Sequence, residues 1–298
     1  MKSLKSNPSR LKFYADVYVW FPDGRIQKVS PGDGIYYQPC IHPEGTHVVF
    51  SGNSSGAPRV WKVDFKTYKL LPLTALKSGA RHPVFSWDGK RIIFSSDRSS
   101  DKDAECVEDM DDNGLPPSDH ILNLFIMDSD GKNVKQITTG SFQDQRPCIS
   151  PDNRNVAFVS NRGNFFPSLW VVPTDGSSKP RPLLKKGGGY RPWYSVDGKS
   201  IFFFTIIGKR HQICRIPANG GELIPLANDD IGRSHGPFAD PNGECLLMHS
   251  TRGGKYGIWE LPLNGDPPHA LHPPGIESAT HPTRSKNGII TFDVVRSV

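Results

Sequence analysis

Six prolines, Pro39, Pro83, Pro147, Pro192, Pro237 and Pro282, recur at spacings of 44, 64, 45, 45 and 45 residues. Each is followed at a fixed distance by a turn tetrapeptide: HPEG at 42–45, SWDG at 86–89, SPDN at 150–153, SVDG at 195–198, DPNG at 240–243 and SKNG at 285–288. An apolar segment comes next, in turn HVVFSG, RIIFSS, NVAFVS, SIFFFT, CLLMHS and GIITFD. A third apolar segment such as SLWVVP, a hairpin such as 128–131 and a fourth segment such as VKQITT complete the unit. Short apolar runs separated by Gly, Asn and Asp turns read as antiparallel strands. Four such strands in every period of about 45 residues are the signature of a propeller blade. The expected fold is therefore all-β, a six-bladed β-propeller of four-stranded antiparallel blades.

The last repeat holds only two strands before residue 298, and the missing pair lies at the other end, in DVYVWFPDG (16–24) and RIQKVS (25–30). The sixth blade is thus expected to be closed by N- and C-terminal strands, which leaves no open sheet edge. The expected organisation is a basic tail over 1–13, then a single propeller over 14–298 with an acidic loop insertion at about 99–120. The insertion accounts for the one long spacing. Eight acids and one base between 101 and 119 give it a charge of −7, against +6 for the whole chain, so the remainder carries +13. Such asymmetry bears on partners rather than on fold.

These phrases, with their SPDG-like turns and the FVSNR and LWVVP stretches, resemble the TolB-type propeller repeat, a relative of WD-repeat blades. The resemblance runs from about residue 14 to 298 and implies the fold far more strongly than the function. TolB proteins set such a propeller behind an N-terminal α/β domain and work in the periplasm. This chain shows neither that domain nor a signal segment, so a cytoplasmic location is expected. Prolyl-oligopeptidase relatives place a propeller before a hydrolase domain, which six blades leave no room for here.

Strand direction alternates within a blade, so the residues preceding each proline should ring one mouth of the central channel. They are Tyr37 and Gln38, Arg81 and His82, Gln145 and Arg146, Tyr190 and Arg191, His235 and Gly236, and Thr280 and His281. Three Arg and three His stand in this ring, and Asp144 is the acid closest to it in sequence. Arg98, Arg162, Lys209 and Arg252 belong to loops on the same face. Guanidinium groups bind carboxylates or phosphates in bidentate fashion, so the expected ligand is an acidic small molecule or peptide. Tyr37, Gln38, Arg81, His82, Gln145, Arg146 and Arg191 are the candidate binding residues. The alternative is a lyase or isomerase acting on a carboxylate-bearing substrate. There His235 or His281 is the general base, Tyr190 assists, and Arg146 and Arg191 clamp the anion. Polar residues that merely fill a wet channel are the plain structural reading.

No metal or other cofactor is expected. Oligogalacturonide lyases resemble this chain in their repeats and hold a metal on His and Gln side chains. Here His82, His235 and His281 approach the axis from different sides, and His235 is displaced by one residue, which in a strand turns a side chain to the other face. DMDDNG at 109–114 matches the start of an EF-hand loop, but its twelfth position is His120 rather than Glu. GNSSG at 52–56 lies in a strand-to-strand turn and is no nucleophile elbow. Five scattered cysteines (Cys40, Cys106, Cys148, Cys214, Cys245) without a CxxC pair exclude a zinc ribbon or a disulfide framework. No apolar run is long enough to span a membrane. The dispersed basic residues make nucleic acid an unexpected partner, and a monomer is expected.

Overall fold

The apolar segment after each turn forms the long second strand of a unit: His47–Asn53, Arg91–Ser96, Asn155–Ser160, Ser200–Ile207, Cys245–Gly253 and Ile290–Ser297. Each pairs antiparallel with the strand that carries the proline: Ile35–Ile41, Ala80–Phe85, Gln145–Ile149, Tyr190–Tyr194, Ser234–Ala239 and Thr280–Arg284. A computed structural model describes residues 13–53, 57–75, 79–98, 121–163, 167–226 and 232–297. Every regular element among them is a strand, and no helix is long and apolar enough to cross a membrane. Residues 1–12 of the basic tail and the acidic stretch of 101–120, with its EF-hand-like start, lie outside the described residues, and residue 13 begins the first strand.

The turns are locked by their own side chains. The fourth turn residue is left-handed throughout: Gly45, Gly89, Asn153, Gly198, Gly243 and Gly288 have φ between 59° and 82°, a region that glycine and asparagine tolerate best. Ser86, Ser150 and Ser195 each accept, through Oγ, the backbone N–H five residues on, at 2.9–3.0 Å. In the last unit Ser285 accepts instead from Ile289, four residues on, at 3.1 Å. The final turn is one residue shorter than the others, and this shifts the numbering of the strand behind it.

One large apolar side chain from each second strand is fully buried: Phe50, Phe94, Phe158, Phe203, Met248 and Phe292, all at 0% exposure. Burying a side chain of this size contributes about 1.5–3 kcal/mol. Trp193 packs against four separate core clusters and so stands where neighbouring sheets meet.

The fold is an all-β propeller, but the expected count of six separate four-stranded sheets is corrected by the hydrogen bonding. Among the described residues four four-stranded sheets stand alone, and the other eight strands form one continuous sheet. In it Phe13–Trp20 pairs along its length with Ile290–Ser297, from Phe13–Ser297 to Trp20–Ile290. The physical cause of the merger is a single parallel bridge, Ala15 to Ile35, which ties this closing sheet to the next one.

Candidate functional site

All six proline-bearing strands are interrupted at the same place. Their register slips between Tyr37 and Cys40, Arg81 and Val84, Gln145 and Cys148, Tyr190 and Trp193, His235 and Phe238, and Thr280 and Thr283. The residue just before each proline lies in the slip and is left-handed: Gln38, His82, Arg146, Arg191, Gly236 and His281 have φ between 51° and 61°. For a residue other than glycine this conformation costs roughly 1–2 kcal/mol. The bulge lifts that residue out of the pleat and re-aims its side chain. It thereby separates neighbours that the sequence grouped together. Gln38, His82, Arg146, Arg191 and His281 line a cavity of about 90 Å³ at the axis, with the prolines as its wall.

Tyr37, Arg81, Gln145, Tyr190 and His235 do not line this cavity. Each stays in the ladder, opposite the fifth residue of its second strand: Ser51, Ser95, Val159, Phe204 and His249 respectively. All five are buried. Tyr190 stacks on Phe204, with centroids 5.1 Å apart, and His235 stacks on Phe204 at 4.6 Å. The terminal nitrogens of Arg81 and both amide atoms of Gln145 are buried without a hydrogen-bond partner. The three loop arginines are engaged elsewhere. Arg162 holds Asp144 through Nε at 3.0 Å, Arg98 lies over the Phe94 and Phe125 rings, and Arg252 lies over Trp259. Lys209 is exposed in the turn after Ser200–Ile207.

The equivalent position of the last second strand, shifted by the shorter turn to its fourth residue, is Asp293, which pairs with Thr280. Sequence reasoning missed this residue, as it missed His211, His249 and Tyr256. Nδ1 of His281 is 2.8 Å from one carboxylate oxygen of Asp293 and 3.1 Å from the other. The backbone N–H of Gln38, across the closing seam, also bonds this carboxylate. At the neighbouring seam the N–H of His281 donates to Nδ1 of His249 at 3.3 Å, and the N–H of His82 donates likewise to Ser51 Oγ at 3.0 Å. From His281 the imidazoles continue outward: His249 at 4.9 Å between centroids, His235 at a further 5.5 Å, then His211 at 4.6 Å. Tyr256 packs beside His235 and His249.

Burial dominates the electrostatics. It pushes the Asp293 carboxyl up to about 8, against the opposing pull of Arg191. Burial, and then the Arg146 and Arg191 guanidinium groups, hold His82 and His281 well below the usual imidazole range. His249 is lowered in the same direction, by burial and then by its imidazole neighbours, and His235 falls to about 3. Arg191 is lowered too, first by burial and next by Arg146. At neutral pH the mouth thus combines uncharged imidazoles and a protonated carboxyl with arginines that repel one another. Both ring nitrogens of His82 and Oε1 of Gln38 are buried without a hydrogen-bond partner. Among the described residues no group of three or more His, Cys, Asp or Glu converges as metal ligands do.

This architecture defines a propeller with a small cavity among its proline-bearing strands, reached by two arginines and two histidines. The chain is similar to TolB-type β-propellers. No family model matches it. It is 25% identical over 234 residues to the Tol-Pal system protein TolB of Francisella tularensis, a match that covers 76% of this chain and 48% of the relative. The chain thus spans about half the length of the curated relatives it matches. A protein assigned as TolB from Agrobacterium tumefaciens superposes with a TM-score of 0.75 at 15% identity, covering 96% of this chain and 99% of the other. An oligogalacturonate lyase from Vibrio parahaemolyticus superposes with a TM-score of 0.56 at 12% identity, covering 96% and 98%. At these identities the structural likenesses speak for the fold alone. The TolB relatives overturn the cytoplasmic expectation, since TolB proteins work in the periplasm. The four cysteines among the described residues are free and do not locate the chain.

Proposed function

We propose that the protein is a binding propeller whose channel mouth receives an acidic group of a protein or peptide partner. The observation that carries this reading is the charge imbalance at the mouth. Arg146 and Arg191 act on each other and on the neighbouring histidines, while Asp293, the acid that acts on Arg191, is held protonated by burial. A carboxylate placed there would relieve the repulsion and accept charge-assisted hydrogen bonds. A cavity of about 90 Å³ has the volume of roughly three waters, enough for a side-chain or terminal carboxylate. The relatives' name points the same way, because a Tol-Pal system protein works within an assembly. An acidic small molecule bound by the same groups is the simpler case of this reading, which needs no cofactor.

The proposal takes the ring as six-bladed and residues 14–298 as one domain, with the tail at 1–13 and the acidic insertion as appendages. Six bulges and six left-handed residues at equivalent positions support this count, with the eight-stranded sheet read as two blades joined by the Ala15–Ile35 bridge.

A lyase or isomerase is the second reading, favoured by the His281–Asp293 pair and by the likeness to a lyase. The small mouth argues against a sugar ring entering it. Calorimetric titration with a capped tetraglutamate peptide, and with tetraglutamine as control, tests the primary reading. Saturable binding of the acidic peptide alone is expected, and equal affinity for the two peptides would overturn it. Turnover of an oligogalacturonide under the same conditions would favour the second reading.

A further inference from the structure

At the other end of the axis, where the proline-bearing strands run into their turns, lies a second cavity of about 270 Å³. It shares Cys40, Trp193 and Phe238 with the mouth cavity, but aromatic side chains take the place of the mouth's histidines. Phe85, Trp87, Trp193 and Phe238 contribute aromatic walls, and the turn residues Val196 and Pro241 contribute to its apolar lining. Arg284 and Lys286 are the charged residues that line it, so the wall holds two cations and no acid.

The walls are held by specific contacts. The indole N–H of Trp87 donates to the Ile149 carbonyl at 2.9 Å, which fixes the ring. Trp193 leans on Phe238 with centroids 4.5 Å apart, and its own indole N–H, buried, has no acceptor. Pre-positioned walls lower the ordering cost of binding. A dry cavity of about 150 Å³ accepts benzene, so 270 Å³ has room for a fused pair of rings. The two cations differ in availability. Arg284 is committed, bonded to Asp240 at 3.0 Å and also to Glu260. Lys286 pairs with Glu44 at 2.7 Å, and both side chains are more than half exposed. Such a surface pair contributes about 0–1 kcal/mol, so an incoming carboxylate can take the place of Glu44.

We infer that this cavity is a second binding pocket, for a planar aromatic acid of one or two rings, with the ring against Trp87 and Trp193 and the carboxylate on Lys286. The pocket borders the mouth cavity through Cys40, Trp193 and Phe238 but uses neither Arg146 nor Arg191, so it does not rest on the proposed role of the mouth.

Isothermal titration with 2-naphthoate and with uncharged 2-naphthol tests it on the full chain. Wild type should bind 2-naphthoate saturably, at one site, and more tightly than 2-naphthol. Val196→Trp, which fills the cavity, should weaken both by at least tenfold. Lys286→Ala should weaken 2-naphthoate by about three- to tenfold and leave 2-naphthol unchanged. Lys286 is exposed, so this arm stands even if Val196→Trp melts early. Arg146→Ala/Arg191→Ala should bind 2-naphthoate as wild type does. The inference is overturned by absence of saturable binding at millimolar ligand, or by binding that survives both Val196→Trp and Lys286→Ala. Loss confined to the arginine double variant would also overturn it, by placing 2-naphthoate at the mouth.

Discussion

Asp293 and His281 share a hydrogen bond of 2.8 Å at the seam where the closing sheet meets the first, and both prefer their neutral forms there. The carboxyl is 1% exposed and bonds the backbone of the next unit as well. A structural bond and a titrating group are therefore combined in one residue, and this combination has a measurable pH signature.

The folded-state value of Asp293, about 8, lies above the ordinary carboxyl value of 3.8. Between these values the folded protein binds a proton that the unfolded chain releases. Stability from this group is therefore complete below about pH 4 and is lost as pH rises towards 8. Asp293→Asn keeps the shape of the protonated carboxyl and cannot ionise. Its melting temperature should match wild type near pH 4.5 and exceed it by several degrees at pH 9, as ~1 kcal/mol moves a chain of this size by roughly 2–4 °C. A constant difference across that range would show that Asp293 titrates normally.

Binding at the mouth should follow charge. Arg146→Ala/Arg191→Ala should reduce tetraglutamate affinity by at least a hundredfold, since each hydrogen bond to a charged group contributes about 1.5–3 kcal/mol. Raising the salt concentration should weaken wild-type binding. Above pH 8, where Asp293 acquires its charge, affinity should fall further in wild type and stay level in Asp293→Asn. Calorimetry at pH 6.5 and pH 9 reads both effects.

Ser51 and Ser95 occupy the same position in successive units, and both are fully buried. Only Ser51 has a described bond across a seam, accepting the His82 N–H, whereas the Ser95 hydroxyl has no partner. Ser51→Ala should cost about 1–3 kcal/mol by leaving that N–H unmet. Ser95→Ala should be neutral or stabilising. Urea midpoints of the two variants decide, and equal losses would refute the asymmetry.

Phe292 anchors the closing pair, at 0% exposure, within a cluster that includes Phe238, Leu247 and Ile258. Phe292→Ala should cost about 3–5 kcal/mol. Because the closing sheet joins first and last units, loss should appear in one cooperative transition. A separate early transition with the remaining sheets intact would contradict this.

The repeat was legible because each proline, turn and apolar strand recurs within one period, and these local rules set the strands and their pairing. The division between Gln38 and Tyr37, or Arg146 and Gln145, was not legible. It depends on a bulge and a left-handed backbone, and an Arg in that conformation looks like any other Arg in a sequence. His249 carried a usable signal, since its position elsewhere holds Ser51, Ser95, Val159 or Phe204. Asp293 carried the same signal, but the shorter last turn displaces it by one in a simple count. His211 sits at the start of a third strand, where nothing in the repeat marks it. The sheet count depended on the Ala15–Ile35 bridge, a contact that leaves no trace in either segment.

The pairing of Phe13–Trp20 with Ile290–Ser297 also orders events in time. The partner of Phe13–Trp20 lies about 270 residues further along the chain, and at roughly 5–20 residues per second it emerges many seconds later. Until then the edge of Phe13–Trp20 that faces Ile290–Ser297 has no partner, and the contact that ends the wait spans nearly the whole sequence. Loop closure of that length is slow, so the propeller is most vulnerable to mispairing just before Ile290–Ser297 docks.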